Sequence, residues 1–175
     1  MTTEGSFSRP VKVDALPRDG LMQTVEATPP ERAAVAEQQD LVDVAKLTAT
    51  FLLKRTGKGV RVTGAVHAEV TQTCVVTLEP FPVMVDESVD VRFAKPAEER
   101  SGRRTQVETV ALDAEDPPDP IVDGRIDLGA LTVEFLALAL DPYPRKPDAE
   151  FTPPPMVEPA ESPFVVLAEI AKKKG

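Results

Sequence analysis

The chain has 175 residues, 42% of them apolar, and a formal net charge of −9. That apolar share supports one folded core and excludes a wholly disordered chain, while a surface of this sign disfavours unaided binding to nucleic-acid phosphates. A single cysteine excludes an internal disulfide or a multi-cysteine zinc site within one chain, and eighteen prolines with few aromatics point to long loops and ragged ends. The start, MTTEGSFSRPVKVD, has no apolar core behind its charges, which predicts a cytoplasmic protein without a signal peptide.

Phe7, Arg9, Val11 and Val13 alternate in a way that suits a short strand. Leu16 to Gly20 reads as a turn and Leu21 to Glu26 as a second strand. Pro29-Pro30 then opens ERAAVAEQQ, which predicts a short exposed helix from about Pro30 to Gln39. Between Val44 and Arg55 the apolar Leu47, Ala49, Phe51 and Leu53 alternate with polar residues, the period of a half-buried strand. Thr56-Gly57-Lys58-Gly59 is a hairpin turn, and the return strand puts Val60, Val62, Val66, Ala68 and Val70 on one face. A third strand is expected around Cys74 to Leu78. A further one, or two joined by a bend, is expected from Val83, Val85, Val89, Val91 and Phe93. Consecutive strands with short links predict an antiparallel meander, either barrel-like or left open.

From Lys95 to Pro120 the composition turns polar. Arg100, Arg103 and Arg104 form a basic cluster ahead of an acidic one at Glu108, Asp113, Glu115, Asp116 and Asp119. Val107 to Leu112 is the one short stretch there with strand character. Ile121 to Gly124 leads into the only long apolar segment. Asp127 stands at the N-cap position of a predicted helix, with Leu128, Leu131, Phe135 and Leu138 on one face and Val133, Leu136 and Leu140 on a second. Such a helix is expected to be buried, and it is too short to span a membrane. Pro142 and Pro144 end it. Eight prolines between Asp141 and Pro163 read as an extended arm, after which Ser162 to Ile170 forms a compact apolar segment closed by Lys172, Lys173 and Lys174. The expected organisation is one α+β domain over 1–144, a linker over 145–161, and a short amphipathic tail helix over 162–175. Phe164 and Leu167 stand on the sticky face of that tail.

Catalytic signals are weak. His67 is the sole histidine and has no second ligand or base at a useful spacing. Cys74 lacks a basic partner that would activate it, so a structural thiol is expected. The acidic run from Asp113 to Asp123 lacks the alternation and closing glutamate of a calcium loop. Gly57-Lys58-Gly59 lacks the upstream glycine and following helix of a phosphate loop. No enzyme, cofactor, metal or small-molecule substrate is expected.

Three segments in order resemble the YceD family, the large ribosomal RNA subunit accumulation proteins of bacteria and plastids. VTQTCVVTLEPF (Val70 to Phe81) is similar to the family's cysteine-containing strand. GRIDLGALTVEFLALALDPYP (Gly124 to Pro144) is similar to its Ile-Asp-Leu helix. SPFVVLAEIAKKK (Ser162 to Lys174) is similar to its closing Asn-Pro-Phe segment and lysine tail. Many members carry Cys-x-x-Cys at the first motif and another cysteine after the helix. Here Cys74 is kept, Thr77 takes the second position, and no cysteine follows the helix. A metal or redox role inferred for those members therefore does not transfer.

The resemblance implies a role in accumulation of 23S ribosomal RNA, through its synthesis, processing or protection. It implies a bacterial assembly factor acting on a large-subunit ribosomal protein or an rRNA-containing precursor. Family genes commonly neighbour that of a small basic large-subunit protein. The alternative is a direct RNA-binding module that uses Arg100, Arg103, Arg104 and Lys172 to Lys174 on phosphates. A nuclease built on Asp113, Glu115 and Asp116 is a third reading. Oligomeric state is open at this point.

Overall fold

The computed structural model of the protein describes residues 7–57, 59–95 and 117–151. In chain order the elements are β1 (Pro10–Lys12), a 3₁₀ turn (Val13–Ala15), β2 (Leu21–Glu26), α1 (Pro29–Gln38), β3 (Asp43–Thr56), β4 (Gly59–Thr73), β5 (Pro80–Ala94), β6 (Asp119–Pro120), β7 (Arg125–Asp127) and α2 (Leu128–Ala139). Strands β2 to β6 form one sheet in sequence order, and β1 pairs with β7 as a separate two-stranded ribbon. All neighbours are antiparallel except β5 and β6, which pair in parallel over two residues.

The expected α+β class with a largely antiparallel sheet holds, but the sheet is open, not a barrel. Its order leaves β2 at one edge and the two-residue β6 at the other. A single layer of helix on one face supplies the burial that closure would otherwise have to provide. Leu47, Ala49, Phe51 and Leu53 of β3, and Val60, Val62, Val66, Ala68 and Val70 of β4, all point into that layer. There they join Val35 of α1 and Leu128, Leu131 and Leu136 of α2 in one core. The period-two reading of β3 and β4 thus named the buried face. One irregularity sits between Val44 and Lys46, where an extra residue in β3 lets Val44 and Leu47 both face inward. The hairpin between β3 and β4 pairs Thr56 with Gly59, and Gly57 takes a φ of 57°, which suits a two-residue turn.

Several expectations change. The segment Cys74 to Leu78 is not a strand. Val75–Thr77 is a turn linking β4 to β5, and Leu78 adopts a φ of 59° that a continuous strand does not allow. The segment from Pro80 to Ala94 is one strand of 15 residues, without a bend into two. Near the start, the strand is only Pro10–Lys12, because Val13 turns into the 3₁₀ segment, whose carbonyls receive Arg55 Nη2. Helix α1 begins one residue earlier than expected. It is not wholly exposed, since Val35 and Ala36 enter the core. In α2 the buried set is Leu128, Gly129, Leu131, Thr132, Val133 and Leu136, whereas Leu138 is 72% exposed. Leu138 lies in the last turn, where its neighbours Ala137 and Leu140 line an open groove in place of the packed sheet. Thr132 tolerates full burial because its hydroxyl donates to the Leu128 carbonyl at 2.7 Å. No helix among the described residues is long and apolar enough to cross a membrane.

Candidate functional site

Helix α2 is fastened at both ends, and its C-terminal end carries the most unusual chemistry of the described chain. β4 delivers Cys74 to the turn that precedes β5. There Cys74 N donates to Glu79 O and Leu78 N donates to Cys74 O, each at 2.9 Å, so the turn closes on itself. The thiol is fully buried. Its sulfur accepts backbone N–H groups from Val76 at 3.4 Å, Thr77 at 3.5 Å and Lys146 at 3.3 Å. The third donor comes from the segment that follows α2. Two further contacts hold that segment to the turn: Val75 N donates to Pro144 O at 2.9 Å, and Lys146 Nζ meets Glu79 Oε2 at 2.9 Å. Residues 145–151, read from the sequence as the start of a linker, are therefore tied at Lys146 to the β4–β5 turn.

The Thr77 side chain hydrogen-bonds to the Cys74 thiol and draws its pKa down, against burial, which pushes it up; the N–H groups of Lys146, Thr77 and Val76 add to the lowering, to about 6. The donors around the sulfur favour its anionic form, while the side chain itself is buried. His67, the sole imidazole, lies on the opposite, open face of the sheet and pairs with Asp86. Cys74 and His67 are not brought together as a nucleophile and base. Among the described residues, no three His, Cys, Asp or Glu side chains stand in a group that could hold a metal ion.

Beside the Cys74 turn lies an open groove of about 570 Å³. Its apolar lining comes from Leu41 and Val42, from Val75 next to Cys74 in the chain, and from Leu140, Pro142 and Pro144. Gln72 is buried between them and donates to the Asp141 backbone carbonyl at 3.3 Å. Asp141 Oδ1 in turn accepts Tyr143 N at 2.8 Å, which sets the exit path of the chain from α2. Among the described residues, the ionisable side chains lining the groove are those of Asp40 and Asp141. Sequence reading missed this groove, because its walls come from three separated stretches. The local signals were Val42 and Val75, apolar residues directly outside periodic segments, which are 57% and 44% exposed.

The open face of the sheet is mostly polar, with Met22 and Met84 exposed on it. Arg61 pairs with Asp90 at 2.6 Å across β4 and β5, and Thr24 and Thr50 share a hydroxyl hydrogen bond across β2 and β3. All the partner-binding residues expected from the sequence, Arg100, Arg103, Arg104, Phe164, Leu167, Lys172, Lys173 and Lys174, lie outside the described residues. So do Asp113, Glu115, Asp116 and the Val107 to Leu112 stretch.

The family model described as large ribosomal RNA subunit accumulation protein YceD matches residues 62–164, more than half of the chain. The chain belongs to the YceD family. No curated protein and no solved structure matches it. The YceD match runs from β4 through the Cys74 turn, β5 and α2 to Phe164, so it takes in both sides of the Cys74–Lys146 contact. Within the matched stretch, Thr77 places two hydrogen bonds on Cys74, one from its backbone and one from its side chain.

Proposed function

We propose that this YceD protein supports accumulation of the large-subunit 23S rRNA as a non-enzymatic assembly factor, by binding a basic large-subunit ribosomal protein or a precursor particle. The family match carries the ribosomal part of this reading. The net charge of −9 favours a basic protein over bare RNA as the first contact, since like charge repels phosphate and steers cations inward. The burial of Cys74 and the pairing of His67 with Asp86 support a binding role over a catalytic one.

Affinity capture from lysate, with and without ribonuclease, tests the proposal. Large-subunit proteins retained after digestion are the expected result; recovery of no ribosomal component sinks it. The competing reading, direct RNA binding through Arg100, Arg103, Arg104 and the terminal lysines, makes a different prediction. Purified protein would bind rRNA alone, with log affinity falling by about 0.7 per phosphate contact for each log unit of salt.

A further inference from the structure

We propose that the groove at the C-terminal end of α2 is a docking site for the chain's own C-terminal segment, residues 163–174. The inference does not depend on the ribosomal role. It rests on the groove, on the chemistry of that segment, and on where the described chain ends.

The groove has a mixed lining, with apolar Val42, Val75 and Leu140 beside Gln39, Thr73 and two carboxylates. Val42 and Val75 stand 57% and 44% exposed along it, and Leu140 is only partly buried. Among the described residues its ionisable lining residues, Asp40 and Asp141, are both carboxylates. The occupant that suits such a surface is an apolar stretch flanked by cations. Residues 163–174 have that composition: Phe164, Val165, Val166, Leu167 and Ile170, then Lys172, Lys173 and Lys174, with Glu169 the single acid.

Geometry favours this segment over an outside one. The chain leaves α2 along the groove itself, since Pro142 and Pro144 form part of its wall. The contacts of Pro144 O with Val75 N and of Lys146 N with Cys74 Sγ keep the exit at this end of the molecule. Twelve residues, five of them proline, lie between Phe151 and Phe164. At about 3.1 Å per residue for proline-rich chain, they reach about 40 Å, ample to turn back to the groove. Covalent attachment at that length gives an effective concentration in the millimolar range, so even a weak site is filled ahead of a free peptide. Closing a loop of this size costs little more than closing one half as long.

The test uses the full chain with the photo-crosslinker benzoylphenylalanine in place of Leu167. After irradiation at low micromolar concentration, digestion and mass spectrometry should find crosslinks within one chain to peptides covering 39–42, 72–75 or 137–144. Val42→Asp combined with Val75→Asp changes two exposed positions and should lower the yield at least tenfold. Lys172→Glu, Lys173→Glu and Lys174→Glu together should lower it about threefold. Crosslinks to other surfaces of the domain overturn the proposal. So do crosslinks found only between chains, which would assign the groove to a second copy. A failure to crosslink at all, with the chain folded by circular dichroism, overturns it equally.

Discussion

The two ends of α2 are held by acceptors of different hardness. At the N-terminal end the Asp127 carboxylate takes backbone N–H groups from Arg9 at 2.7 Å, Gly129 at 2.9 Å and Ala130 at 3.2 Å, together with the Ser8 hydroxyl. At the C-terminal end the Cys74 sulfur takes three N–H groups at 3.3–3.5 Å. A carboxylate concentrates charge on small oxygens and makes short, directional bonds. Sulfur is larger and more polarisable, and its bonds are longer and softer. The contrast sorts the molecule into a rigid end, where β1 and β7 pair beside the helix cap, and an adjustable end, where the groove opens and the chain departs.

Breaking the rigid end should cost most. Asp127→Ala removes the helix cap and also unpairs Arg9 N and Ser8, which tie the N-terminal segment to the helix. Urea unfolding should show a loss of about 2 kcal/mol, the upper range for a cap. Asp127→Asn keeps an acceptor oxygen and should recover about half of that. An equal loss in both variants would mean that the charge matters and the cap geometry does not. Burial pushes the Asp127 carboxyl upward in pKa, but the bonds from Ser8, Arg9, Ala130 and Gly129 together outweigh it and hold it low. Its stabilisation is therefore present above the ordinary aspartate range and is lost as acid protonates it.

The cap was legible from the sequence and the sulfur clasp was not, for a physical reason. Asp127 acts on N–H groups two and three residues ahead, so the pattern Asp-Leu-Gly-Ala-Leu shows it directly. The strands β3 and β4 were legible in the same local way, from alternation whose inward set of Leu47, Ala49, Phe51 and Leu53 is buried. Cys74 was misread as part of a strand because Val75 and Val76 follow it, and β-branched residues argue for extended chain. What overrides that preference is the contact with Lys146, 72 residues away in sequence. Leu138 shows the same limit: its spacing marks it for burial, but only the fold reveals that a groove borders that last turn.

At the adjustable end, Cys74→Ala deletes the shared acceptor of three N–H groups and leaves a small void. Thermal unfolding should shift downward by roughly 4 °C. Its pH dependence separates the two ends more sharply. The folded thiol is drawn below its ordinary value of 9.0 to about 6. A depressed acid contributes stability that is fully present above the unfolded value and is lost as pH falls through the folded one. Wild-type stability should therefore climb between pH 6 and 9, with Cys74→Ala flat across that window and Asp127→Ala as steep as wild type. A climb that survives in Cys74→Ala would show that the thiol is not the titrating group.

The smallest effect should come from removing residues 161–175. If the segment docks reversibly in a groove that is already formed, the domain's own core, from Phe7 to Leu136, does not need it. The expected drop in Tm is under about 2 °C, because closing an open surface groove adds little apolar burial to that core. The larger change should be chemical: Val42 and Val75 become more accessible, and an apolar dye should bind the truncated chain more strongly than the full one. A drop above about 8 °C would mean that Phe164 and Leu167 complete the core and do not dock upon it. That outcome would move the boundary between domain and arm to the end of the chain, and the end of α2 fastened through sulfur would then be a permanent joint.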